Sequence, residues 1–378
     1  MIASQPSQPL KFDGCFHGGA FFQAIGERFE TLDLRQQIIN ADVLDAWFPP
    51  APRVIAALNE HLPWLLQTSP PINCGGLIDV IAEVRGVDRS HVLPGAGSSD
   101  LIFLALREWL DRDSRALVLD PTYSEYTHVL ENVIGCQVDR LRLSRDDHYR
   151  VPLDRLAESL QSGGYDLILL VNPNSPTGQF IFREALQSVL VSVPARTRVW
   201  IDETYIDYVD SEQSLERYAS RTDNVVVCKS MSKVYALSGA RVAYLCGSVA
   251  QIEPLRRLTP PWAVSLLAQV AAVEALRDPD YYAARHRETH ALREQLAVGL
   301  SSLGWEVVSG CVNFLLAHLP DHQPTTPEVI ANCRERGLFL RDVSSMGTVF
   351  DNRTIRVAVK AKETQRRMLE ILNEVLGG

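Results

Sequence analysis

No Cys-x-x-Cys pair occurs among the seven cysteines of this chain (Cys15, Cys74, Cys136, Cys228, Cys246, Cys311 and Cys333), and their number is odd. Such scatter is expected of a protein of the reducing cytosol rather than of a disulfide-stapled one. Basic charge is short as well: 37 Lys and Arg against 46 Asp and Glu leave a net −9. That balance argues against a nucleic-acid surface, which needs a basic stripe. It leaves room for a small anionic substrate in a locally positive pocket. No apolar run approaches membrane-spanning length. The start, MIASQPSQPLKF, lacks the basic segment and apolar stretch of a signal peptide. Internal repeats and low-complexity tracts are missing too. A cytoplasmic protein without a membrane or nucleic-acid partner is expected. The chain's 378 residues, 46% of them hydrophobic, are enough for two packed units.

Short apolar runs alternate with helical patterns through the middle of the chain. "RALVLDPTY" (115–123), "DLILLVNPNSPTG" (166–178), "RVWIDETY" (198–205), "NVVVCKS" (224–230) and "ARVAYLCG" (240–247) read as strands. Several are apolar throughout, the pattern of a mostly parallel sheet covered by helices on both faces. "DLIFLALREWL" (100–110) and "REALQSVLVSV" (183–193) read as intervening helices, which makes this an α/β domain. From about residue 262 the texture changes to long helix, with a break at Asp278-Pro279. Strands "NFLLAHL" (313–319), "GLFLRD" (337–342) and "TIRVAVK" (354–360) and an amphipathic helix (363–376) follow, as in a smaller α+β unit. The expected division is an arm over 1–35 belonging with the small unit, a large domain over 36–262 and a small domain over 263–378.

Ligands of a parallel α/β sheet collect at the carboxyl ends of its strands, and the informative residues cluster there. In "GAGSSD" (95–100), Ser98 and Ser99 open a helix whose N–H groups and dipole suit a phosphate. A flexible turn with an N-capping serine explains the same residues. Ser230, Ser232 and Arg241 of "SMSKVYALSGAR" (230–241) could complete an anion site around Lys233. Asp202 of "WIDETY" ends a strand, with Tyr205 three residues on; a lone Asp there more often caps a helix. Tyr123 of "DPTYSEY" ends another strand, and "VNPNSPTG" leaves a third through a proline turn. Together they supply an amine, a carboxylate, a phosphate cradle, a phenol and an aromatic face. Pyridoxal phosphate asks for those groups.

The ordered set GAGSSD, DPTY, NPNSPTG, DETY, SMSK and GAR resembles the fold-type I pyridoxal-phosphate enzymes, class I and II aminotransferases, over most of the chain. The resemblance implies a large pyridoxal-phosphate-binding domain with a smaller domain beside it. It implies that Lys233 carries pyridoxal 5'-phosphate as an imine, that Asp202 pairs with the pyridine nitrogen and that Tyr205 donates to the phenolic oxygen. Tyr123 would stack on the ring, and Ser98, Ser99, Ser230, Ser232 and Arg241 would hold the phosphate. The residue before "PTG" is commonly Asn in this family and here is Ser175, so either Ser175 or its neighbour Asn174 faces the phenolic oxygen.

Arg356 of "TIRVAVK" corresponds to the family arginine for the substrate α-carboxylate. Arg341 resembles the arginine that faces a distal phosphate in the histidinol-phosphate aminotransferase and threonine-phosphate decarboxylase branch. "FHGGAFF" resembles the start of those decarboxylases, with Ala20 in place of Asn, so His17 joins the substrate candidates. "WLLQTSPPINCGGL" (64–77) lacks the tyrosine that relatives extend to a partner's cofactor phosphate. The resemblance implies a homodimer and an aminotransferase for an amino acid or amine bearing a distal phosphate or phosphonate, with a keto acid as second substrate. A decarboxylase using the same residues, and a non-catalytic cofactor-binding module, remain the alternatives. "HRETH" (286–290) mimics zinc-helix spacing, but its glutamate is misplaced for a metalloprotease; a solvated helix face and no metal are expected.

Overall fold

The computed structural model describes residues 18–162 and 164–377; the candidate His17 lies outside them. Among the described residues the strands are β1 (Ile39–Asn40), β2 (Val92–Gly95), β3 (Arg115–Asp120), β4 (Gln137–Arg142), β5 (Leu167–Val171), β6 (Arg198–Asp202) and β7 (Val225–Ser230). They continue with β8 (Ala243–Gly247), β9 (Glu306–Val308), β10 (Phe314–His318), β11 (Leu338–Phe339), β12 (Arg341–Asp342) and β13 (Thr354–Ala358). The large sheet has the order β2-β8-β7-β6-β5-β3-β4. Only β8 runs against its neighbours; the other adjacent pairs are parallel.

Every residue of β5 and β7 is buried. Successive side chains of a strand point to opposite faces. Ile168 and Leu170 therefore join Val199, Ile201, Val225 and Val227 in one core. Leu167, Leu169 and Val171 join Trp200, Val226 and Cys228 in another. Two cores, one on each face, are why these strands read as unbroken apolar runs. Each such side chain contributes about 1.5–3 kcal/mol by leaving water.

The small sheet, β12-β13-β10-β9, is antiparallel throughout. The stretch 337–342, expected as one strand, is split at the buried Leu340. Leu338–Phe339 pairs in parallel with β1, and Arg341–Asp342 pairs with β13. The helix expected over 183–193 ends at Leu190, and a turn leads into Pro194, a residue that disfavours helix just before it. Asp278-Pro279 does interrupt the long helical stretch, giving Leu266–Leu276 and Pro279–Ser302 with Pro279 in the first turn, where a missing N–H costs nothing.

"HRETH" is not a solvated face. His286 is buried with Nε2 2.9 Å from the Val234 carbonyl, and His290 Nε2 is 2.7 Å from that of Tyr208. His286 thus ties this helix to the loop after Lys233, and His290 ties it to the short helix Ile206–Val209. No group of three or more possible metal ligands occurs among the described residues, and none of their helices is long and apolar enough to cross a membrane.

Candidate active site

β2, β3, β5, β6 and β7 share one direction, so the turns after Gly95, Asp120, Val171, Asp202 and Ser230 meet at one edge of the sheet. Because β8 is antiparallel, its beginning lies at that same edge, and Arg241 just before it joins them. The cavity formed there holds about 340 Å³. Ser98, Ser99, Tyr123, Asp202 and Tyr205 line it, as do Ser230, Ser232, Lys233 and Arg241. Arg341 and Arg356 of the small sheet close it from the other side. Of the sequence candidates within the described residues, Asn174 alone does not line the cavity. Its side-chain amide donates to the Pro121 carbonyl at 3.0 Å and to Thr177 Oγ1 at 3.1 Å. Ser175 lines the cavity instead.

The helix Ser98–Trp109 begins beside Gly97, and no side chain caps it. Ser98 is the first helical residue rather than a cap, so the N–H groups of the first turn face outward. Gly97 has φ +94, and a Cβ on it would collide with the Arg241 guanidinium. Glycine is required for that approach. Arg241, itself at φ +56, donates to Ser232 Oγ at 3.5 Å and to the Ser238 carbonyl at 3.2 Å. Helix N-terminus, guanidinium and serine hydroxyls thus converge at one end of the cavity, the chemistry of a phosphate cradle.

Asp202 ends β6 and is buried. Tyr126 OH donates to its Oδ2 at 2.7 Å, and the Thr204 N–H donates to Oδ1 at 2.8 Å. Trp200 Nε1 in turn donates to Tyr126 OH at 2.8 Å. Burial nevertheless raises the Asp202 carboxyl above its ordinary range, against these hydrogen bonds. Tyr123 OH and Ser99 Oγ both donate to Glu125 Oε2, at 2.8 and 3.0 Å. Tyr205 meets the Phe314 ring edge-on at 5.5 Å, and burial pushes its phenol well up.

Lys233 Nζ lies 3.0 Å from Asp45 Oδ1, and burial lowers the amine's pKa. Its backbone is pinned: Tyr208 OH donates to the Lys233 carbonyl at 3.0 Å, and His286 holds the next one. Arg356 donates to Ser175 Oγ and to the Asp42 carbonyl, each at 3.2 Å, and lies 5.5 Å over the Phe314 ring. Its Nε is buried without a hydrogen-bond partner among the described residues, and burial, reinforced by Arg341, pulls its pKa down to about 10. Arg341 is its direct cross-strand neighbour. Arg341 Nε is 2.7 Å from Asp42 Oδ1, an ion pair by proximity rather than a well-aimed hydrogen bond. Gly18, at φ +91, lies against both side chains, where a Cβ would come within 2.8 Å of each. Sequence reasoning missed Tyr126, Glu125, Asp42 and Asp45. Only Tyr126 and Glu125 left a trace, both standing inside the quoted DPTYSEY.

These residues fit pyridoxal phosphate chemically: an uncapped helix start with arginine and serines, a buried carboxylate on neutral donors, and an amine in one cavity. Solved structures share the fold. A histidinol-phosphate aminotransferase of Sinorhizobium meliloti, in complex with pyridoxal-5'-phosphate, superposes with a TM-score of 0.81 at 19% identity, covering 96% of this chain and 98% of that one. An L-threonine-O-3-phosphate decarboxylase of Porphyromonas gingivalis gives 0.78 at 21%, covering 90% and 100%. In sequence, a histidinol-phosphate aminotransferase of Gluconobacter oxydans is 30% identical across 86% of this chain and 88% of its own length. Residues 46–375 match the family described as aminotransferase class I and II. With nearly the whole chain inside that match, the protein belongs to the class I and II aminotransferases.

Proposed function

We propose that this aminotransferase uses pyridoxal 5'-phosphate to pass an amino group between a keto acid and an amino compound bearing a distal phosphate or phosphonate. The observation that carries the proposal is the pair Arg341 and Arg356, facing one cavity with Lys233 and Asp202. Two relatives named for different reactions, a histidinol-phosphate aminotransferase and a threonine-phosphate decarboxylase, have phosphorylated compounds in common, which supports the same substrate class.

Bound here, pyridoxal phosphate supplies an aldehyde reactive toward amines and a ring that accepts an electron pair. Ser98, Ser99, Ser230, Ser232, Arg241 and the helix start would hold its phosphate. Asp202 would keep a proton on the ring nitrogen, its carboxylate fixed by Tyr126 and Thr204. Tyr123 offers an aromatic face, and Tyr205 and Ser175 offer hydroxyls to the phenolic oxygen. Lys233 would be the amine that holds the aldehyde and, once released from it, the base that takes up the substrate's Cα proton and gives it back. Arg356 would grip the α-carboxylate with a fork already oriented by Ser175 and Asp42. Arg341 would face the distal anion. Two guanidinium groups side by side repel, and Asp42 offsets that until an anionic ligand arrives. His17, outside the described residues, enters the proposal only through the resemblance of FHGGAFF to the start of the decarboxylases.

The working form proposed is a cytoplasmic homodimer, supported by free thiols at the six cysteines among the described residues and by the apolar outer face of the helix Pro52–Gln67. The test is mass spectrometry of products from a panel of phospho- and phosphono-amino compounds, with and without a keto acid. Amino transfer that needs the keto acid is expected. Loss of carbon dioxide without it would replace the proposal by the decarboxylase reading.

A further inference from the structure

Asp45 stands on the irregular segment between β1 and the helix Pro52–Gln67, remote in sequence from every motif of the site. Its Oδ1 nonetheless accepts a hydrogen bond from Lys233 Nζ at 3.0 Å. We propose that Asp45 is a positioning residue for Lys233: whenever the lysine is not bonded to cofactor, its ammonium rests on this carboxylate, which strengthens the amine as a proton acceptor. The inference rests on the reading of Lys233 as the cofactor-binding amine.

The surroundings leave this task to Asp45. Besides the carboxylate, Lys233 Nζ faces Ser238 Oγ at 3.5 Å and the positive fields of Arg356 and Arg241. Burial and both arginines disfavour an ammonium, and Asp45 is the anion acting against them. An amine that takes up the Cα proton becomes a third cation among two guanidinium groups. A carboxylate at hydrogen-bond distance offsets that charge for as long as the proton stays. When Lys233 gives the proton back, it is neutral again and Asp45 has changed nothing in the proton count. Lys360 flanks Asp45 on its other side, with Nζ 3.5 Å from the Asp45 carbonyl oxygen. Burial pushes that amine down to about 8, and its remaining charge helps keep Asp45 ionised.

The test uses cofactor-free protein. Trace acetylation with acetic anhydride across a pH series, read by peptide mass spectrometry, gives the titration midpoint of Lys233 itself. Asp45→Asn should lower that midpoint by about one pH unit or more, while Asp45→Glu restores most of it. Lys360→Met, which removes a competing cation, should move it upward. The carboxylate is 40% exposed, so the asparagine variant leaves no hole in the core. In the loaded enzyme, Asp45→Asn should cut kcat roughly tenfold or more with KM within about twofold. Equal midpoints in the wild type and Asp45→Asn would overturn the proposal. So would a shifted midpoint with unchanged kcat, which would make the pair a structural ion pair. No cofactor enters the acetylation assay, so its failure is distinct from a failure of the proposed function, which would show as cofactor absent from Lys233 after borohydride reduction.

Discussion

Asp202 and Glu203 are adjacent in sequence and serve opposite faces of the structure. Asp202 opens to the cavity, whereas Glu203 turns into a buried cluster with Ser214, the Leu215 N–H at 2.7 Å and Lys229 at 3.9 Å. Burial lifts Glu203 to about 7, against Lys229. Only Asp202 can act on a ligand, and Asp202→Ala should lower kcat by about 10²- to 10³-fold, the scale of a lost electrostatic partner in a closed site. Bound pyridoxal phosphate should survive in that variant, because other residues are proposed to hold its phosphate. Turnover near the wild-type value, with cofactor bound, would remove Asp202 from the chemistry. Cavity-lining residues such as Asp202, Lys233 and Arg356 were legible in the sequence because each sits at a fixed place in a short motif. Their supports were not. Tyr126 meets Asp202 from 76 positions away and Asp45 meets Lys233 from 188, and no spacing rule reaches across such distances.

At the level of elements, the strand–turn–helix unit of β2 depends on Gly97. Gly97→Ala adds a Cβ where the Arg241 guanidinium lies and forces alanine to φ +94. Affinity of the cofactor-free protein for pyridoxal phosphate should fall tenfold or more, on the order of 1.4 kcal/mol. Gly76→Ala, in the helix Gly75–Arg85 with open space around it, should instead stabilise by about 0.5–1 kcal/mol. Similar affinity loss in both variants would argue against the close approach. The small sheet carries its own pH dependence. His318 of β10 is buried between Tyr149 OH and Thr354 Oγ1, both at 3.1 Å, and burial depresses its pKa from 6.5 to about 4. Between those values the unfolded chain binds more protons than the folded one, so stability is lost as pH falls from 6.5 towards 4. His318→Gln should flatten that part of the melting-temperature profile; an unchanged slope would assign it to other groups. Unbroken apolar strands were legible because both faces are covered. The split of 337–342 was not, since it depends on β1 and β13 offering partners in different sheets.

For the whole molecule, the order of motifs along the chain was enough to read the fold, because each motif marks one strand end of a single sheet edge. The proposed homodimer has a candidate surface. Ile55, Leu62, Trp64 and Leu66 are exposed on the helix Pro52–Gln67, and Ile72 just beyond it is exposed too. Sedimentation should give twice the 42.2 kDa chain mass, and Trp64→Glu with Leu66→Glu should shift it towards one chain with loss of turnover. An active wild-type monomer would end the homodimer proposal. The central claim, a distal anion read by Arg341 and an α-carboxylate read by Arg356, is tested most directly by kcat/KM for two substrates matched except for the phosphate. Both must keep the α-carboxylate, and each is measured with the wild type, Arg341→Ala and Arg356→Ala. Arg356→Ala should impair both substrates by about 2–5 kcal/mol in transition-state binding. Arg341→Ala should impair the phosphorylated substrate by a similar amount and leave its phosphate-free match within about threefold, under 1 kcal/mol. Equal losses on the two substrates in Arg341→Ala would contradict the account.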